Sequence, residues 1–169
     1  MLFAVFLLVV VAARDDAFWA MHGNHLYGVT SPAADMEKLV DSAGFTSLPV
    51  VVTTDYILLE YYASPPIAKR LVALVDLPKS IEYEGTDTID RLNIALGASL
   101  PLRVYQFQEF TSAQQPFLLY SAGTVVFAGS STFYDWITPE LVHEGYSLRV
   151  VAADGNRRVY LVSSGASVR

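Results

Sequence analysis

A three-layer α/β fold is predicted by three features of the sequence: β-branched apolar runs with no wet face, helix-type apolar spacing around them, and Pro or Gly at the joins. Leu48-Pro49-Val50-Val51-Val52-Thr53-Thr54 and Leu71-Val72-Ala73-Leu74-Val75 are too apolar to carry a solvent-facing side. That is the mark of central parallel strands covered on both faces.

The elements follow in order. Ser31-Pro32 sets a capping hydroxyl before a Pro at the first helical position, and residues 33–43 place Met36, Leu39, Val40 and Ala43 on one helix face, ended by Gly44. After the first strand, Asp55 is positioned to cap a helix through Tyr62, which Ser64-Pro65-Pro66 stops. After the second strand, Gly85-Thr86-Asp87-Thr88 offers a cap for a helix from Ile89 to about Gly97. Its apolar Ile89, Leu92, Ile94 and Leu96 surround Arg91 and Asn93. Residues 102–113 are ambiguous between helix and strand, and the three-residue spacing of Val104, Phe107 and Phe110 favours helix. Phe117-Leu118-Leu119-Tyr120 is a short buried strand, and residues 136–144 read as a helix ended by Gly145. Residues 148–152 and 158–162 flank Asp154-Gly155-Asn156 as a hairpin. The sum is a Rossmann-like, mostly parallel sheet with an antiparallel C-terminal hairpin. The Gly-rich nucleotide fingerprint is absent after the first strand, where Thr53-Thr54-Asp55-Tyr56 stands instead.

Ahead of this domain lies a different composition. Met1 to Ala13 carries no charged or polar side chain, and Arg14-Asp15-Asp16 ends the run abruptly. A complete membrane span needs about 20 apolar residues, and a signal peptide would place Lys or Arg before its apolar core. The run therefore reads first as the outer end of a transmembrane helix that begins upstream, second as a signal sequence and third as a buried core segment. The first two put everything after Arg14 outside the cytoplasm. The expected organisation is a membrane-exit segment at 1–14, a linker at 15–30 and a soluble α/β domain at 31–165.

With 169 residues the chain can bury a sufficient core without disulfides, and it has no Cys. Its net charge is −6, and the eleven basic residues are scattered, with Lys69-Arg70 and Arg157-Arg158 as adjacent pairs. Nucleic acid is thereby a poor partner, since phosphate backbones are held by clustered Lys and Arg.

Chemistry-bearing residues are few. Thr53, Thr54 and Asp55 after one strand and Asp76 after the next would meet at the carboxyl edge of the sheet, where open α/β folds bind ligands. They are the candidate ligand-binding residues, although Asp55 also suits a helix cap and Asp76 a strand-end turn. Asp15-Asp16 reads as a solvated juncture, and His22 and His25 lie in a Gly-Asn loop without a third metal ligand. His143 suits a helix C-terminus. The serines at Gly129-Ser130-Ser131 and Ser163-Ser164-Gly165 lack the nucleophile-elbow pattern. No catalytic residue, metal or cofactor is expected. The tyrosines and other aromatics from Tyr56 to Trp136 read as core or as an interfacial surface.

Pro49-Val50-Val51-Val52 leading into Asp55-Tyr56, Glu60-Tyr61-Tyr62 before a Pro-rich turn, Arg70-Leu71-Val72-Ala73-Leu74-Val75-Asp76, Gly85-Thr86-Asp87 and Phe117-Leu118-Leu119 form a series of short words. Together they resemble the C-terminal extracytoplasmic domain of bacterial family 39-like membrane glycosyltransferases. The resemblance spans about residues 1 to 165 and rests on element order and short apolar words. It implies a multispanning enzyme of the inner membrane that uses a polyprenyl-phosphate-linked sugar, with this domain facing the periplasm. Its acidic catalytic residues would lie in loops between early membrane helices, outside this sequence. The expected function is then a non-catalytic accessory domain that packs on the membrane-embedded core and helps hold a lipid-linked sugar or glycan acceptor. The other expectation is a stand-alone exported binding module or hydrolase-like domain.

Overall fold

Among the described residues eight strands form two sheets: β1 (Val50–Val52), β2 (Leu71–Val75), β3 (Val104–Gln106), β4 (Phe117–Ser121), β5 (Val125–Phe127), β6 (Ser130–Thr132), β7 (Tyr146–Asp154) and β8 (Arg157–Ser164). The computed structural model describes residues 32–113, 115–122, 125–127, 130–132 and 135–165. The predicted apolar run, the linker, Asp15-Asp16 and the histidines at 22 and 25 lie outside the described residues. Among the described residues no helix is long and apolar enough to cross a membrane.

The main sheet has six strands in the order β3-β2-β1-β4-β8-β7, and β5 and β6 form a separate pair. The first four strands are mutually parallel, with Val51 paired to Val72 on one side and to Leu119 on the other. Strands β8 and β7 add antiparallel to β4 as a hairpin. This is the predicted α/β sheet, mostly parallel with an antiparallel C-terminal hairpin, and 3-2-1-4 is the strand order of the first half of a doubly wound fold. The hairpin closes through Gly155 and Asn156, with Gly155 at φ 57°, a left-handed value that Gly reaches without steric cost.

Among the described residues seven helices cover the sheet: α1 (Pro32–Ser42), α2 (Tyr56–Tyr62), α3 (Pro65–Ala68), α4 (Leu77–Glu84), α5 (Thr88–Gly97), α6 (Phe107–Ser112) and α7 (Ile137–His143). Alternate strand residues feed two cores, as the period of a strand requires. On the first face Val50, Val52, Ala73, Leu118 and Tyr120 pack with Met36 and Val40 of α1 and Leu59 of α2. On the second, Val51, Val72, Leu74, Phe117 and Leu119 pack with Phe107 of α6 and Trp136, Ile137 and Leu141 around α7. Strands β1, β2 and β4 are buried along their whole length, so their reading as core strands holds.

Three local expectations change. Residues 102–113 are neither wholly helix nor wholly strand: Val104–Gln106 is the edge strand β3, and α6 follows at once. Ser64-Pro65-Pro66 does not merely stop α2; Ser64 starts the short helix α3, with Pro at its first positions. A whole helix, α4, stands where a strand-end turn at Asp76 was expected. Helix α5 (Thr88–Gly97 for the expected 89–97) seats its polar side inward. Asp90, Asn93 and Gly97 share the inward stripe, while Ile89, Leu92 and Ile94 are 42%, 45% and 37% exposed. The cause is close approach. A Cβ on Gly97 would lie 2.9 Å from Val104 Cγ2, so α5 rests on β3 along its smallest side.

Candidate functional site

The carboxyl ends of β1, β2 and β4 gather a polar crown on the second face of the sheet. The ladder continues from β1 to Thr53, whose N–H donates to Tyr120 O at 3.2 Å, so Thr53 follows Val51 on that face. Its Oγ1 is a buried oxygen without a hydrogen-bond partner among the described residues. On β4, Ser121 Oγ donates to Asp135 Oδ2 at 2.9 Å, and Asp135 also accepts from Thr138 N at 2.9 Å and Thr138 Oγ1 at 2.7 Å. Asp135 thereby fastens the start of α7 to the end of β4.

Helix α4 lies across this edge. Asp76 caps it by accepting from Lys79 N at 3.1 Å, and Gly85 ends it at φ 74°. The N–H of Asp76 donates to Asp90 Oδ2 at 2.7 Å, and Asp90 is also bonded by the Ser80 hydroxyl and the Trp136 side chain. At the far end of α4, Glu84 Oε1 accepts from Trp136 N at 3.2 Å. On its side, Lys79 Nζ lies 3.0 Å from Glu140 Oε1, and Tyr83 Oη donates to Glu140 Oε2 at 2.9 Å. His143, at the end of α7, sits 3.6 Å from the same carboxylate. A buried acid on α7 and two polar partners on α4 thus pin the two helices together.

The electrostatics divide these acids into two groups. Burial would raise the Glu140 carboxyl, but hydrogen bonds from Lys79 and Tyr83 and the nearby positive charges hold it below its ordinary value. Glu84 goes the other way. Burial, together with the charges of Asp90 and Asp135, outweighs its bond from Trp136 and pushes its pKa up to about 7. Burial likewise raises Asp90 in spite of its three donors.

The sequence-predicted residues are not brought into one crevice. Thr53 and Asp76 belong to the second face. Asp55 does not: its charge acts on Tyr120, a first-face residue whose hydroxyl also feels Arg157 and Asp35. Asp55 precedes α2 as expected, yet its side chain makes no capping bond and its backbone is left-handed, at φ 56°. Thr54 is half-buried at the bend between β1 and α2. Asp76 caps α4. Two grooves are better formed, and neither is lined by Thr53, Thr54, Asp55 or Asp76. One of 260 Å³ follows the outer edge of β3 between α5 and α6, past Ile94, Gly97 and Glu109. The other, of 430 Å³, lies beside α2 and α3 and is lined by Tyr56, Glu60, Lys69 and Arg103.

Glu84, Asp90, Asp135 and Glu140 were not singled out by the sequence. One signal was available: Asp76-Leu77-Pro78 followed by Gly85 is a start and stop pair for α4. Among the described residues no three His, Cys, Asp or Glu side chains converge as a metal-ligand set. If Asp55 and Asp76 are scaffold, Asp55→Asn/Asp76→Asn is expected to move Tm by no more than about 4 °C. Asn caps a helix as well as Asp and tolerates a left-handed backbone. A large drop, read by circular dichroism, would show that the charges themselves hold the edge.

The geometry defines a class: an α/β domain whose usual ligand edge is closed by a helix. Compared with family models, curated proteins and solved structures, the chain finds no match.

Proposed function

We propose that this chain is a non-catalytic extracytoplasmic accessory domain of an integral-membrane glycosyltransferase that draws on a polyprenyl-phosphate-linked sugar. In this reading the apolar run at 1–13 is the end of a transmembrane helix, the α/β domain faces the periplasm, and it packs on the membrane-embedded core that carries out transfer. The observation that carries the reading is the closed carboxyl edge. There Asp76, Asp90 and Asp135 are occupied in capping and anchoring helices, and Glu84 and Glu140 in clamping α4 to α7. A sheet whose ligand edge is committed to structure suits a docking domain better than an enzyme. The outward Ile89 and Leu92 on α5 and Ile81 on α4 add apolar surface of the kind that protein contacts cover.

Two measurements test it together. A phosphatase active only after export, fused behind Arg169 in the native gene, is expected to be active in intact cells. The purified chain is expected to give no transfer from polyprenyl-phosphate sugars. A silent reporter on a stable fusion removes the topology, and turnover by the purified chain removes the non-catalytic role.

A further inference from the structure

Helix α4 lies over the carboxyl edge without entering the core. None of its residues belongs to either apolar cluster, its one buried residue is Ser80, and Ile81 and Tyr83 are 52% and 39% exposed. Polar links hold it instead. Asp76 caps its start, Ser80 bonds Asp90, Lys79 and Tyr83 meet Glu140, and Glu84, its last residue, accepts from Trp136 N. An element with few buried apolar contacts opens before the core does.

The link at the end of α4 is sensitive to charge. Half-buried Glu84 faces Asp90 from α5 and Asp135 from the start of α7. Trp136, buried among the three carboxyls, gives its N–H to Glu84 and its side chain to Asp90. Among the described residues no cation enters this group. Lys79 is engaged by Glu140 and Glu82, Arg91 by Asp87, and His143 stands beside Glu140. An ionised Glu84 therefore adds negative charge beside two other acids and is better solvated when the end of α4 lifts away. Glu140 works the opposite way: Lys79 and Tyr83 stabilise its ionised form, so the middle of α4 stays pinned as the pH rises.

We infer that the end of α4 is a pH-sensitive latch over Trp136, closed while Glu84 is protonated and locally open once Glu84 is ionised, with the sheet folded in both states. The sign follows from proton linkage. The closed form holds the Glu84 proton up to about pH 7, and the open, solvated form releases it near the ordinary 4.5, so closure weakens progressively between those values. The inference goes beyond the accessory-domain reading and does not rest on it, since it concerns α4 alone and is tested on the purified chain.

Hydrogen exchange of the Trp136 N–H in the full chain, corrected for the intrinsic rate at each pH, reads the latch. Its protection is expected to fall about ten-fold or more between pH 5 and pH 8 and to be insensitive to low urea, as a local opening is. The Leu118 N–H, which donates to Pro49 O in the core, should be better protected at every pH and should respond to urea. Glu84→Gln keeps the acceptor and cannot ionise, so it should hold the protection of the Trp136 N–H level across this range. Asp135→Asn removes a neighbouring charge, and the Ser121 and Thr138 hydroxyls can turn to accept from its amide. It should end the fall about half a pH unit lower. Imidazoles titrate in the same range, so a chain with His22, His25 and His143 each changed to Gln should keep the fall. Thermal melts check that each variant folds, and Glu84→Gln alone decides the matter if Asp135→Asn does not. Equal protection and equal urea response at Trp136 and Leu118 would overturn the inference, because global unfolding alone would then expose Trp136. So would protection that stays level in the parent chain, a fall that persists in Glu84→Gln, or one that vanishes with the histidines.

Discussion

Replacing Asp90 with alanine is expected to cost about 3 kcal/mol or more of folding stability, the largest loss from any single polar residue of the carboxyl edge. Three donors converge on this carboxylate: the N–H of Asp76, the Ser80 hydroxyl and the Trp136 side chain. Alanine would leave all three without a partner in a place water does not reach, since Asp90 is 4% and Ser80 2% exposed. Each orphaned buried group carries a penalty of about 1 to 3 kcal/mol, and partial relaxation of α4 lowers the sum. Asn should recover part of the loss, because it keeps one acceptor oxygen while setting an amide against the same donors. Leu92→Gln on the outer side of the same helix should change stability by less than about 0.5 kcal/mol. Urea unfolding of the three variants reads this directly. A Leu92 variant that loses more than the Asp90 variant would mean that α5 is seated with its apolar side inward.

That pair of substitutions marks where the sequence is legible and where it is not. Strands β1, β2 and β4 declare themselves because a run buried on both faces has nothing polar in it, and no other environment produces Val50-Val51-Val52 beside Leu71 to Val75. The hairpin declares itself through Gly155, which the turn needs. Helix α5 misleads because apolar periodicity identifies an amphipathic helix but assumes that the apolar side is the buried one. Here a close contact between Gly97 and Val104 selects the opposite side, and Asp90 is drawn in by donors on α4 and at Trp136. Those partners are 10 to 14 residues before Asp90 and 46 after it, so no local pattern announces them. The candidate residues divide between faces for a related reason. Strand ends place Thr53 and Asp76 on one edge as expected, but the face on which each side chain emerges depends on the turn that follows, and Asp55, left-handed at φ 56°, breaks the alternation of the strand there.

Stability is also expected to fall as the pH rises from about 4.5 to about 7, and Glu84→Gln should remove much of that fall. The folded pKa of Glu84 is raised from 4.5 to about 7 by burial and by the charges of Asp90 and Asp135. Between those values the unfolded chain has lost the proton and the folded chain still holds it, so stability decreases with rising pH and levels off above the folded pKa. Asp90 and Asp55, raised by burial, add to the same trend. Glu140 and Asp87 oppose it below about pH 4.5, because their lowered carboxyls stabilise the fold only while ionised. The maximum should therefore lie at or below about pH 4.5. For Glu84, which is partly exposed, the decline should be on the order of 2 kcal/mol rather than the full value its shift implies. Gln keeps the oxygen that accepts the Trp136 N–H and carries no charge to set against Asp90 and Asp135. At pH 8 the variant should be more stable than the parent by on the order of 1 to 2 kcal/mol, and at pH 5 nearly equal to it. Urea midpoints across that range decide the question. A Gln variant that is less stable at pH 8, or whose profile keeps the parent's slope, would show that the negative charge of Glu84 holds α4 to α7 instead of straining that contact.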